Sequence, residues 1–247
     1  MIRMTGGVEA TLPPTAKVTG PAYAAANGRL WRVAGWLLIA HIVLMLGSFS
    51  LQRIAPLGAP SAVVVADHVR WSMAKGFSGG YLTALSFLVF VAFAMLLARL
   101  LRGHTETSGW LSATVGASAV IYTASTFTGL AALGAALYDG HHGAPLPLVT
   151  ALDHLHWFAI FLATAALGMF ILALAAAVRV TDALPRWVAS TGFVAGAVCI
   201  AAVPGARVGL VDVATLVWVV WFVAFGVAAL RRGRNSVSVL SQASARG

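Results

Sequence analysis

Histidine and aspartate, two residue types suited to binding a metal ion or moving a proton, recur in one short pattern. Asp67-His68-Val69-Arg70-Trp71 and Asp153-His154-Leu155-His156-Trp157 share Asp-His, one variable residue, then Arg or His, then Trp. Imidazole and carboxylate together bind Zn²⁺ or Cu²⁺ and relay protons near neutral pH. The repeat therefore predicts a site for a divalent transition metal or a proton, formed by Asp67, His68, Asp153, His154 and His156.

A plainer interpretation of the same residues stays open. An aspartate at the start of a helix stabilises it by accepting hydrogen bonds from free backbone N–H groups and by facing the positive end of the dipole. Asp67 and Asp153 would then only cap helices, and the histidines would only be solvated. On a helix Asp153 and His156 are three positions apart and share a face, whereas His154 points elsewhere.

Other polar residues lie inside apolar stretches and are candidates for lining a cavity. His41 lies about ten residues into the first apolar stretch, and ionisable residues at such a depth in a membrane are functional candidates. Ser48 follows on the same helix face, and Thr126 belongs to a hydroxyl-rich run in the third stretch. We predict that His41, Ser48 and Thr126 line an outward-facing polar cavity. The alternatives are a neutral histidine bonded to a neighbouring helix and hydroxyls bonded to their own backbone.

The composition indicates which elements position these residues. Of 247 residues, 60% are hydrophobic and only 9% are charged, whereas a soluble domain carries roughly 25% charged residues. Because so few charges cannot cover a soluble fold, the lipid bilayer is the predicted surrounding. Six stretches approach or exceed the roughly 20 apolar residues that a membrane span requires: 31–52, 78–101, 110–138, 150–178, 187–204 and 211–230.

The fold predicted from these stretches is an all-α polytopic membrane protein with six transmembrane helices arranged as three similar helical hairpins. Trp31, Trp110 and Trp187 open the first, third and fifth stretches, and each hairpin would turn back near an outer aspartate. Repeats of this kind occur in transporters but also arise by plain duplication. The hairpins therefore predict an architecture and no activity.

The distribution of basic residues predicts the orientation. With the N-terminus inside, the cytoplasmic side carries 12 of the 16 lysines and arginines, and the outer side carries only Arg53, Arg70, Lys75 and Arg207. By the positive-inside rule both termini are therefore predicted to be cytoplasmic. The basic residues end apolar stretches instead of forming one patch, so nucleic acid is excluded as a partner.

The domain organisation follows from the same pattern. We predict a disordered cytoplasmic tail at 1–28, the six-helix transmembrane domain at 29–234 and a cytoplasmic C-terminal tail at 235–247. Arg, Ala, Val and Gly outnumber Lys, Asn and Ile, as in a bacterium with GC-rich DNA. The predicted location is the bacterial cytoplasmic (inner) membrane.

Two segments carry a resemblance to known sequences. Arg32-Val33-Ala34-Gly35-Trp36 opens the first stretch, and Leu184-Pro185-Arg186-Trp187 precedes Gly192 and Gly196 in the fifth. These segments resemble uncharacterised bacterial multi-pass membrane proteins, catalogued as domains of unknown function, over about residues 29 to 230. The resemblance implies a bacterial multi-pass fold, and it carries over no activity and no functional residue.

Two classes of function follow from these observations. The first is a transporter or sensor of a small ligand, a metal ion or a proton, with an outward-facing polar cavity. The alternative is a non-catalytic scaffold or a partner subunit of a membrane complex, with a membrane-protein partner or a second copy of the chain bound to it. An enzyme is disfavoured because no pairing of a nucleophile with a base emerges from the sequence.

Overall fold

The computed structural model describes residues 21–52, 61–70, 72–102, 105–206 and 209–244. Within these ranges the chain forms helices and no strand. The helices, in chain order, are α1 Pro21–Leu51, α2 Ser61–Arg70, α3 Met73–Leu101, α4 Glu106–His141, α5 Leu146–Thr181, α6 Arg186–Ala202 and α7 Leu210–Ser244.

Local sequence signals place several of the helix boundaries. Thr105 caps α4, because its hydroxyl accepts a hydrogen bond from the Ser108 N–H at 3.2 Å. The turn between α4 and α5 contains Gly143 with φ +73°, a left-handed backbone conformation that glycine adopts without steric strain. Pro145 and Pro185 immediately precede α5 and α6, where a missing backbone N–H breaks no helical hydrogen bond.

Five helices are long and apolar enough to cross a membrane: Asn27–Leu51, Met73–Leu101, Glu106–His141, Leu146–Thr181 and Leu210–Asn235. Large hydrophobic side chains on them face outward, such as Phe158, which is 70% exposed, and Leu216, which is 69% exposed. The prediction of an all-α polytopic membrane fold is thereby confirmed. The predicted sixth span coincides with α6, which is apolar but has only 17 residues. That length gives about 26 Å of helix against a hydrocarbon core of about 30 Å, so the sixth span stays a prediction.

The long helices and α6 form a closed ring in which neighbours run antiparallel. The order around the ring is α1, α3, α4, α5, α6 and α7, and α7 closes the ring by packing against α1. The short helix α2 packs against α4 and α5. We call the end of the ring that carries α2 the α2 end. The opposite end, where Arg99, Arg179 and Arg231 lie, is called the arginine end.

Small residues allow the closest approaches between neighbouring helices. A Cβ atom on Gly168 of α5 would lie 2.9 Å from the carbonyl oxygen of Gly196 of α6, and the converse distance is also 2.9 Å. Since real Cβ atoms do not approach oxygen so closely, only glycine fits at both positions. Gly196 belongs to the Gly192/Gly196 pair, which is the small-xxx-small spacing typical of tight contacts between membrane helices.

The helices extend beyond the predicted domain boundaries at both ends of the described chain. Helix α1 begins at Pro21, within the predicted tail 1–28, because proline suits the first helical turn and Ala24, Ala25 and Ala26 favour a helix. Helix α7 continues to Ser244 because 235–244 contains neither glycine nor proline. The remaining residues of the two predicted tails lie outside the described part of the chain. Helix α2 was not predicted at all.

Candidate functional site: a central cavity

Aromatic rings fill the middle of the ring of helices. The layer consists of side chains buried to 4% exposure or less: His41, Phe87, Phe90, Tyr122, Phe170 and Phe222. Phe90 is its centre, with ring centroids 5.2 Å from both Tyr122 and Phe170. These tilted and edge-on contacts are the favourable geometries for aromatic pairs. The layer therefore separates the two ends of the bundle.

A cavity of about 110 Å³ lies on the α2 side of this aromatic layer, with Phe87 and Tyr122 among its walls. Five of the ring helices, α1, α3, α4, α5 and α7, contribute to the lining. Its polar lining residues are Gln52, Thr83, Tyr122, Thr126, His156, Thr164 and Thr215. The cavity therefore combines an apolar surround with a few hydrogen-bonding groups, as small-ligand sites do.

Among the described residues that line this cavity, His156 is the only histidine and there is no Asp, Glu, Lys or Arg; His156 is 4% exposed. Its Nδ1 atom lies 2.9 Å from the carbonyl oxygen of Gly129 on α4. A carbonyl oxygen only accepts hydrogen bonds, so in the neutral imidazole Nδ1 carries the proton and Nε2 carries the lone pair. This hydrogen bond orients the ring and identifies Nε2 as the nitrogen with the lone pair, the kind of atom through which an imidazole coordinates a metal ion.

Asp153 lies one turn from His156 and is 3% exposed. It lies seven residues beyond Leu146, well inside α5, whose N-cap is Pro145. Asp67 is likewise an interior residue of α2, which begins at Ser61. The capping interpretation is therefore wrong for both aspartates, because the apolar residues before them extend each helix by about two further turns.

The other three residues of the predicted metal site are not seen beside Asp153 and His156. One lies on another helix face, and the side chains of the other two are outside the described part of the chain. His154 is exposed, on the opposite face of α5 from the buried Asp153 and His156. Helix α2, which carries Asp67 and His68, packs against α5, but those two side chains lie outside the described part of the chain. Among the side chains that are described, no three His, Cys, Asp or Glu groups come together. The metal site stays a prediction.

The three residues predicted to line a cavity occupy three different positions. Thr126 lines the cavity, although its hydroxyl donates to the carbonyl of Tyr122 in its own helix at 2.9 Å. Ser48 lies behind the lining, and its hydroxyl is 2.6 Å from that of Thr83, a lining residue. His41 belongs to the aromatic layer, where its ring centroid is 4.9 Å from that of Phe90.

Sequence analysis did not identify Gln52 and Thr83, which join α1 to α3 in the cavity wall. The Gln52 side-chain amide donates to the Thr83 hydroxyl at 3.1 Å. A signal existed in the spacing of Gly79, Thr83 and Ser86, which places small and polar residues along one face of α3. Comparison of the chain with protein-family models, curated proteins and solved structures gave no match.

Proposed function

We propose that the protein is an integral membrane protein that binds an ion-sized ligand in its central cavity, as a transporter or a sensor. The ligand is a divalent transition metal ion or a proton held with water. The observation that supports this most directly is a buried, oriented imidazole, His156, in the wall of a cavity inside a membrane-type bundle.

The size of the cavity favours a small ligand. A volume of 110 Å³ holds roughly four waters at about 30 Å³ each. Drug-sized ligands occupy sites of about 300–1,000 Å³. A metal ion with one or two waters fits the available space, and so does a short water chain that delivers protons.

The chemistry of the cavity wall favours a cation. The lone pair on Nε2 of His156 can take up a proton or bind a metal ion. Either event adds positive charge to a buried position, which is costly without a compensating charge nearby. Asp153, buried one helical turn away on the same face, is the acidic residue that we assign to that compensation.

Transport and sensing make different demands on the aromatic layer. A transported ion must pass the level of Phe90, so the rings there would have to change conformation. A sensor only needs the cavity to fill. Uptake of Zn²⁺ into proteoliposomes, compared with protein-free vesicles, distinguishes these two forms of the proposal.

The proposal includes a topology of six spans in three hairpins, with both termini in the cytoplasm of a bacterium. Its support is the charge on the arginine end, since positively charged segments are retained inside. Reporter fusions after the C-terminus and at Glu106 should report the cytoplasm, and a fusion at Gly143 should report the outside. A cytoplasmic signal at Gly143 would contradict this topology.

The ligand proposal is tested by calorimetry of the purified protein with Zn²⁺ and Cu²⁺ at neutral and mildly acidic pH. We expect one ion to bind at neutral pH and binding to weaken in acid, because an imidazole must be neutral to coordinate a metal. His156→Ala should abolish binding. The matched control is His142→Ala, which removes an exposed histidine bonded to its own helix at Tyr138.

Two outcomes would contradict the ligand proposal. Binding that survives in His156→Ala would place the ion elsewhere. Absence of metal binding, together with a His156→Ala variant that leaves proton uptake by the protein unchanged, would favour the non-catalytic scaffold instead.

A further inference from the structure

A groove opens at the arginine end between the α5–α6 turn and residues 227–235 of α7. Its volume is about 690 Å³, far larger than the central cavity. The groove has an apolar wall, formed by Leu184, Trp187 and Val227, and a basic wall, formed by Arg231 and Arg232. A surface that is apolar on one side and cationic on the other suits an amphipathic anion.

The two arginines of the groove differ in how they are held. Arg231 is exposed. Arg232 is partly buried, with its guanidinium carbon 5.3 Å from the centre of the Trp31 ring and one N–H donated to the Asp182 carbonyl at 3.4 Å. Stacking and a hydrogen bond fix this guanidinium in place. A guanidinium presents a planar fork of donors that matches two oxygens of a phosphate group.

The electrostatic surroundings of the groove also favour an anion. Within the described part of the chain, the arginine end carries two acids, Glu106 and Asp182, against nine arginines: Arg29, Arg32, Arg99, Arg102, Arg179, Arg186, Arg231, Arg232 and Arg234. Asp182 lies in the groove, but its carboxylate is 3.9 Å from Nε of Arg186 and both side chains are exposed. Such a pair is weak in water, and the groove keeps an excess of positive charge.

We propose that this groove binds the phosphate of an anionic phospholipid headgroup, with Arg231 and Arg232 as the phosphate ligands. Trp187, which is 51% exposed, and Val227 would contact the first part of the acyl chains. The apolar wall favours a phospholipid over a free phosphate ion, because this wall continues the lipid-facing surface of α6 and α7. Basic pockets between membrane helices are known to hold anionic headgroups, and tryptophan is enriched at that level of the bilayer.

The experiment is native mass spectrometry of the delipidated full-length protein, titrated with phosphatidylglycerol, with phosphatidylcholine or with glycerol phosphate. We expect phosphatidylglycerol to bind at least about tenfold more tightly than phosphatidylcholine, and glycerol phosphate to bind no better than phosphatidylcholine. Arg231→Gln should weaken phosphatidylglycerol binding about fivefold, because one basic residue near an anionic headgroup contributes about that factor to the affinity. The double variant Arg231→Gln/Arg232→Gln should bind still more weakly. The matched control is Arg99→Gln. Arg99 is an exposed arginine of α3 that also lies at the arginine end of the bundle but outside the groove.

Three results would overturn the lipid site. They are equal binding of phosphatidylglycerol and phosphatidylcholine, equal loss of binding in Arg99→Gln and Arg231→Gln, and binding of glycerol phosphate as tight as that of phosphatidylglycerol. Arg232 contacts Trp31, so the double variant can lose folded protein. Arg231→Gln alone then decides, because this exposed side chain can be changed without disturbing the packing.

Discussion

Two histidines buried within the described part of the chain, His41 and His156, make the same backbone contact in different surroundings. Nδ1 of His41 lies 3.0 Å from the carbonyl oxygen of Ser86, linking α1 to α3. Nδ1 of His156 lies 2.9 Å from the carbonyl oxygen of Gly129, linking α5 to α4. His41 is enclosed by the aromatic layer, whereas His156 lines the cavity.

The difference shows that access, and not the hydrogen bond, separates a structural histidine from a functional candidate. The Ser86 hydroxyl also pairs with His41, lying 2.7 Å from Nδ1 and 2.9 Å from the backbone oxygen. Nε2 of His41 has no hydrogen-bond partner within the described part of the chain. A proton added there would place a charge among phenylalanine rings, which is costly. His156 faces space that water or an ion can occupy.

The largest expected effect is the loss of stability in His41→Ala. The change removes a fully buried ring from the aromatic layer and both of its contacts with Ser86. We expect the free energy of unfolding to fall by about 3 kcal/mol, since large-to-small changes in a packed core cost about 2–5 kcal/mol. The measurement is equilibrium unfolding in mixed micelles. A double-mutant cycle with Ser86→Ala should give a coupling of about 1 kcal/mol, and additive effects would contradict the pairing.

The second effect is a smaller loss of stability in His156→Ala. Water can enter the space left beside the cavity, so the free energy of unfolding should fall by only about 1 kcal/mol, the value of one net hydrogen bond. The same unfolding assay measures it. If this variant loses as much stability as His41→Ala, the contrast between an enclosed and an accessible histidine is wrong.

A third variant, Asp153→Asn, separates charge from shape. Asparagine keeps the size of the side chain and removes the carboxylate charge, so the variant tests the charge alone. If Asp153 balances a cation at His156, metal affinity measured by calorimetry should fall about tenfold or more, as it does when residues supporting a metal ligand are lost. Unchanged affinity would remove Asp153 from the proposed site.

The smallest effect is expected for His154→Ala. This side chain is exposed on the other face of α5, where substitutions change stability by less than about 0.5 kcal/mol. Metal affinity should also match that of the parent protein. A loss of affinity equal to that of His156→Ala would show that both faces of α5 contribute ligands. The site would then include the whole Asp153-His154-Leu155-His156 motif.

Much of the fold could be predicted because each membrane span is encoded locally. A run of apolar residues without charge must become a helix in lipid, since no other backbone arrangement within the run satisfies its hydrogen bonds. Helices α3, α4 and α5 therefore begin and end within a few residues of the stretches 78–101, 110–138 and 150–178. Helix α2 was not predicted because its ten residues are of mixed polarity. They are too few to form a membrane span, and they have no clear helix-capping residue.

The site was less predictable because its parts come from different helices. The sequence alone is enough to place Asp153 and His156 on one helix face, because the α-helical period brings positions three apart together. The packing of the helices is needed to show that His156 lines a cavity, that Gln52 and Thr83 complete its wall, and that His41 lies in an aromatic layer instead. Which faces of the helices meet depends on side-chain packing between segments distant in sequence, such as Gly168 against Gly196, and one helix alone does not encode its neighbour.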